Sequence, residues 1–439
     1  MISRGISPSS GKHMIAGLRI SHAILGILLA ACLAGTVSAE SLGTEWKDVP
    51  FTDTPFSGVR FSDDGNMVFA TGDQLLLRSW DGQKRWGGRS GAVAALSGNG
   101  EFVVDGIGTA LILLDKTMVD NWTRNQNGHV KAVAISGNAS FVFSADDQGN
   151  YNTWARNGEF LGRTTDDVVI KMVFSPAENI VVATTMNGLR AWSPIFIPLW
   201  SDNTTGSIYT DVIISQDGST IIASGGNRLL SYSSKGQKNW EINPSSGAII
   251  DTACNRDCSL IVVGTQDSTI VAIDRYGKTR WTYKAGQWIN GVDVSKDASV
   301  IAAGGLDGTV YLLNRAGDVT TKKKIGSNLR PQSIAISPDG RRVAVADLTN
   351  LYGLSVLGDA SPGVMETFTL PPLDPVRAAG ITTQPTTVAV TTTAAPDTPA
   401  ATIAVPPSPM PTTKKSDPGI IPVLGAWAVA IIAVAVIRR

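Results

Sequence analysis

Between residues 40 and 360 the apolar positions fall in runs of four to six, divided by short clusters of Gly, Asp and Asn. Runs of that length bounded by turn formers predict β-strands joined as hairpins in series. The clearest unit is Ile334-Ala335-Ile336-Ser337-Pro338-Asp339-Gly340, followed by Val343-Ala344-Val345-Ala346. With Ser337 as the anchor, the same β-turn-β pattern recurs at Ser62, Ser97, Ser136, Ser175, Ser215, Asn255 and Ser295. The intervals are 35, 39, 39, 40, 40, 40 and 42 residues, too regular for chance. Each unit carries four strand signals. In the seventh they are Val292-Asp293-Val294, Val300-Ile301-Ala302-Ala303, Thr309-Val310-Tyr311-Leu312-Leu313 and the segment after Arg315-Ala316-Gly317.

Four strands in about 40 residues is the period of a propeller blade. The expected fold class is therefore all-β, an eight-bladed β-propeller. Trp marks the outermost strand: Trp86, Trp122, Trp200, Trp240 and Trp281 follow their anchors by 24 to 26 residues. Gly162 and Thr321 stand at that place in the third and seventh units. An indole there covers the edge between blades while its N–H stays near a polar partner. The eighth unit lacks an outer strand of its own. Trp46 precedes Ser62 by 16 residues, as Thr321 precedes Ser337, so the N-terminal segment is expected to complete the last blade and remove the open sheet edges.

Over residues 41 to 360 the units resemble the blades of WD-repeat and quinoprotein-like (PQQ-type) β-propellers. The residues Asp307 to Gly317 and Ile273 to Trp281 resemble the PQQ-type repeat, and Gly128-His129 with Val133-Ala134-Ile135-Ser136 resembles the Gly-His entry of a WD blade. The resemblance implies the fold, and function then rests on sites placed upon it.

The ends differ in composition. Residues 1–39 read as a signal peptide, with Arg19, the apolar run Ala23 to Leu33 and the small-residue site Val37-Ser38-Ala39. Leu29-Ala30-Ala31-Cys32 resembles a lipobox, the alternative being a Cys that falls in an apolar stretch. Residues 40–360 form the propeller. Residues 361–419 are rich in Thr, Pro and Ala and predict a disordered stalk. The segment 420–439 begins with the apolar run Ile420 to Ile437 and ends in Arg438-Arg439, which predicts a transmembrane helix with everything upstream outside the cell. Pro418-Gly419-Ile420 resembles archaeal sorting signals of the Pro-Gly-Phe type, with Ile in place of Phe.

Charge and chemistry narrow the function. Lys plus Arg is 37 and Asp plus Glu is 37, a balance that argues against nucleic acid as partner. Of three His, only His129 lies beyond the leader, which makes a Ser-His-Asp triad or a multi-His zinc site improbable. The quinoprotein resemblance would imply a vicinal disulfide and a calcium-bound quinone, but the chain has no adjacent Cys pair. No cofactor, metal or catalytic residue is expected. Asp146-Asp147 reads as a turn and Asp166-Asp167 as a solvated pair.

Cys254 and Cys258 flank one hairpin turn, a spacing that suits a disulfide outside the cell. Asn121, Asn138 and Asn203 head glycosylation sequons, with Asn138 and Asn203 expected in accessible loops and Asn121 less so, beside a packed Trp. Tyr209, Trp288 and Asn290 lie in loops on one face and are candidate contacts for a protein or glycan. For Trp288 the alternative is packing on its own blade. Ser193-Pro194-Ile195-Phe196-Ile197-Pro198 replaces a Gly turn, so Ile195, Phe196 and Ile197 form an apolar patch or fold back over the blade rim. The functional expectation is a surface-anchored binding or scaffold module. The alternative is an extracytoplasmic propeller enzyme: quinoprotein-like, lyase or hydrolase.

Overall fold

The computed structural model describes residues 41–48, 56–72, 74–83, 85–87, 93–177, 179–203 and 208–357. The leader with Cys32, the stalk and the C-terminal apolar run lie outside them. The described chain forms eight antiparallel sheets of four strands, one per predicted unit. It is an eight-bladed propeller.

Each anchor works through its side chain. In six of the seven Ser units the hydroxyl accepts the backbone N–H five residues on, as from Met67 to Ser62 at 3.0 Å, Val300 to Ser295 at 3.1 Å and Arg342 to Ser337 at 2.9 Å. It donates in turn to the Asp or Asn two residues on, as from Ser295 to Asp297 at 2.7 Å. Ser175 instead accepts Asn179 N–H, four residues on, at 3.2 Å and donates to the Asn179 side chain. Asn255 replaces the hydroxyl with its amide oxygen, which accepts Leu260 N–H at 2.9 Å. The recurring Ser-x-Asp is thus a turn that satisfies its own backbone.

The last blade joins the two ends of the described chain. Strand Ser41–Asp48 pairs antiparallel with Leu351–Leu357, with Trp46 opposite Gly353. Gly is required there, because a Cβ would sit 2.0 Å from the Trp46 ring. The sheet order places the N-terminal strand outermost, beside the eighth unit's third strand.

Blades are clasped at the rim by the outer-strand Trp. Indole N–H groups cross to the last turn of the next blade: Trp122 to Arg156 O (2.8 Å), Trp200 to Ser234 O (2.8 Å), Trp240 to Arg275 O (2.7 Å) and Trp281 to Arg315 O (3.0 Å). Two residues past each acceptor stands Gly158, Gly236, Gly277 or Gly317. At Gly277, φ is +82° and a Cβ would lie 2.9 Å from Trp240, so both conformation and space demand glycine.

The departures from this rule explain one another. Blade 3 offers Gly162 where Trp is expected, and Phe196 of blade 4 occupies the vacant volume. Phe196 adopts φ +61°, the glycine-like conformation of the turn, and is 3% exposed. Its ring packs edge-on against Phe143, Tyr151 and Trp192 at 5.7 to 5.9 Å. The large and small partners have exchanged sides of the joint. Thr321 needs no indole, because the eighth blade's outer strand arrives from the N-terminus and leaves no turn to clasp. At the closing joint Arg78 lies 3.7 Å over the Trp46 ring and pairs with Asp48 at 2.5 Å.

Candidate functional site

The first strand of each blade lines the central channel. A cavity of about 390 Å³ opens there, walled by first strands of blades 1, 4, 5, 6, 7 and 8 and by their first turns. Val173, Phe174, Ile213, Val294 and Ile336 supply apolar wall, and Arg60, Lys171, Asp251 and Asp293 supply charge. At the turn end of the cavity Lys296 reaches Asp63 at 3.3 Å, from blade 7 to blade 1.

Carboxylates staple the inner strands together. Asp251 of blade 6 accepts Val292 N–H of blade 7 at 2.9 Å, and Asp293 of blade 7 accepts Ile336 N–H of blade 8 at 2.8 Å. Asp211 of blade 5 pairs with Lys171 of blade 4. Burial pushes Asp251 up to about 7, with the Asp211 charge adding to the rise. Burial likewise raises Asp293 to about 6, against the pull of the backbone N–H groups of Ile336 and Val294. These residues escaped the sequence reading. Their signal was available: Lys171, Asp211 and Asp251 each stand four residues before an anchor in three successive units.

The first turns also connect around the ring. Gln216 N–H donates to Arg256 O, Arg256 N–H to Lys296 O and Lys296 N–H to Pro338 O, at 2.9, 3.3 and 3.1 Å. Cys254 and Cys258 are bonded to each other and bracket Arg256, so the disulfide encloses a link in that chain. Cys254 itself borders the cavity.

The candidate contact residues are not brought together. Tyr209 is buried in the core between blades 4 and 5, and Asn290 is buried with its amide donating to Leu329 O at 2.6 Å. Neither presents a side chain to a partner, a correction with two causes: the Tyr209 loop turns inward, and Asn290 lies not in a loop but in the first strand of blade 7, Ile289–Val294. Trp288 is 46% exposed. Phe196 is core, so of the two alternatives it folds back over the rim, and the patch with Ile195 and Ile197 does not form. Ile195 is half-buried and only Ile197, 49% exposed, faces solvent. The sequons also rank differently. Asn121 is exposed, because the residue beside a buried Trp on a strand points outward. Asn138 is half-buried, its side-chain oxygen accepting Ser140 N–H at 2.8 Å in the anchor turn. Asn203 is exposed, and the Thr residues of its sequon lie outside the described residues.

Two acidic pairs have structural roles. Asp146 accepts the N–H groups of Gly128, Gln148 and Asn150 at 2.9 to 3.1 Å and so fixes a turn and the facing loop. His129 is exposed and contributes its backbone N–H to Asp147 at 2.9 Å. Asp166 and Asp167 are not a free solvated pair, since both grip Arg190 at 2.9 and 2.8 Å.

The family model "WD domain, G-beta repeat" matches residues 277–314, from the last turn of blade 6 through the third strand of blade 7. The fold is an eight-bladed propeller carrying a WD-type repeat. Among solved structures, the C-terminal WD40 domain of Sif2 is similar with a TM-score of 0.61 and 11% identity, covering 73% of this chain and 99% of that one. Chaetomium thermophilum Sqt1 bound to the N-terminus of ribosomal protein L10 is similar with a TM-score of 0.58 and 11% identity, covering 70% and 98%. A search of curated protein sequences finds no match. At this identity the likeness concerns the propeller fold.

Proposed function

We propose that this propeller is a binding scaffold held at the cell surface, with a protein or surface glycan as partner. The observation that carries the binding reading is the WD-type repeat at residues 277–314 within a closed propeller. Sqt1, which shares the fold, is bound to a ribosomal protein segment in its solved structure. Protein is therefore the first partner class to test. Asp251 and Asp293 of the channel wall each use one carboxylate oxygen to join blades. A non-enzymatic role follows as part of the proposal.

The surface placement rests on sequence: the leader with its Val37-Ser38-Ala39 site, the Thr/Pro-rich stalk and the apolar run before Arg438-Arg439. The archaeal-type sorting resemblance at Pro418-Gly419-Ile420 agrees with the same placement. The experiment combines two steps. Protease added to intact cells releases the propeller, and crosslinking before release captures its partner. A propeller that stays protected overturns the placement. Turnover of a substrate panel without any captured partner overturns the scaffold reading.

A further inference from the structure

Asp251 has a carboxylate oxygen to spare. The residue is 5% exposed and borders the channel cavity, and its Oδ2 accepts Val292 N–H at 2.9 Å. Among the described residues no protein donor reaches Oδ1. Asp211, on the neighbouring inner strand, does not line the cavity: Oδ1 is taken by Lys171 and Val212 N–H, and Oδ2 is buried without a partner. Both stand four residues before their anchors, which puts them at one level of the channel. A nearly buried carboxylate with one oxygen undonated is costly, and a ligand that donates to Asp251 Oδ1 from the cavity recovers part of that cost. Lys171 is one cation facing two carboxylates. The other charges acting on this wall are Asp293, toward Asp251, and Arg60, toward Asp293.

We propose that the channel cavity binds an aliphatic primary ammonium group, held by Asp251 Oδ1 with the negative charge of Asp211 behind it. An ammonium is a compact charge with three donors, suited to a single open carboxylate oxygen. A guanidinium fork prefers both oxygens of one carboxylate, and each carboxylate here already has one oxygen engaged. Calcium or magnesium calls for about six oxygens, more than this wall offers. Val173, Phe174, Ile213 and Ile336 flank the cavity with apolar surface for a methylene stem. The ammonium stabilises ionised Asp251, so binding near pH 6 expels the proton that burial otherwise retains there. The inference goes beyond the scaffold reading and stands without it: the same group comes from a partner's lysine side chain or from a free alkylamine.

The test is titration calorimetry on the full-length protein at pH 6, in two buffers of different ionisation heat. The probes are n-butylammonium, Nα-acetyl-lysine methylamide and uncharged n-butanol. The expected result is that at least one amine binds with proton release while butanol does not. Asp251→Asn should weaken binding by about 10- to 100-fold and abolish the proton release. Asp211→Asn serves as an independent variant if the first does not fold, and weakens binding by removing the second negative charge beside the site. Tighter binding of the lysine amide assigns the site to a protein side chain, and tighter binding of butylammonium to a free amine. Butanol binding as well as the amines, no amine binding at about 10 mM, or native affinity in a folded Asn variant overturns the proposal.

Discussion

At the rim joint between blades 5 and 6, neighbouring blades are joined by apolar area and one neutral hydrogen bond. At the channel wall they are joined by carboxylates. Trp240 covers Gly277 and donates to Arg275 O, a joint with nothing to titrate. Asp251 and Asp293 reach across to the N–H groups of Val292 and Ile336 from positions where burial opposes their charge. Such an indole joint therefore supplies stability that is indifferent to pH, while the channel holds charge at a cost. Sites held at a cost are where binding has most to gain.

The largest expected effect comes from opening the ring. Removing Ser41–Asp48 strips the outer strand from the last blade and breaks the Trp46 and Asp48 contacts with Arg78. The loss should approach the whole stability margin of about 5–15 kcal/mol, seen in calorimetry as loss of the cooperative transition. A near-native transition would mean that closure contributes little.

Next is the exchanged joint between blades 3 and 4. Phe196→Gly leaves a cavity and should cost about 3–5 kcal/mol in denaturant unfolding. Gly162→Trp alone should also destabilise, because its Cβ would lie 2.6 Å from Ile195 O. Combined, the two changes restore the ordinary Trp-over-Gly clasp, and the double variant should be more stable than either single one. Additive losses would show that the two positions do not share one volume.

The smallest effect concerns a single rim hydrogen bond. Trp240→Phe keeps most of the ring but leaves Arg275 O without its indole donor, for a loss of about 1 kcal/mol. The loss should be the same at pH 5 and pH 7. A pH-dependent loss would blur the division between rim and channel.

Much of the rim was legible along the chain. The anchors recur in all eight units and the Trp in six of them, Trp46 included by its 16-residue offset, and repetition makes such rules visible. Phe196 was legible only as an anomaly. Its meaning depends on Gly162, in another unit, so no window along the sequence contains both halves of the joint. The channel charges were missed for a related reason. Lys171, Asp211 and Asp251 are ordinary single residues in their own strands, and they become a group only when the units are stacked on their anchors. Tyr209 and Asn290 misled for other reasons: the Tyr209 loop folds inward, and the strand that holds Asn290 begins at Ile289, within the stretch read as loop.

The division between rim and channel is tested by the pH dependence of unfolding between about pH 4.5 and 7.5, comparing the native protein with Asp251→Asn. Asp251 and Asp293 hold protons more tightly folded than unfolded, so their contribution is fully present below the ordinary carboxylate range. It is lost as pH rises toward about 7 for Asp251 and about 6 for Asp293. The expected result is that native stability falls across this window by on the order of a few kcal/mol, with much of the slope gone in Asp251→Asn. Native stability that is flat or rises with pH, or an unchanged slope in the variant, would contradict it.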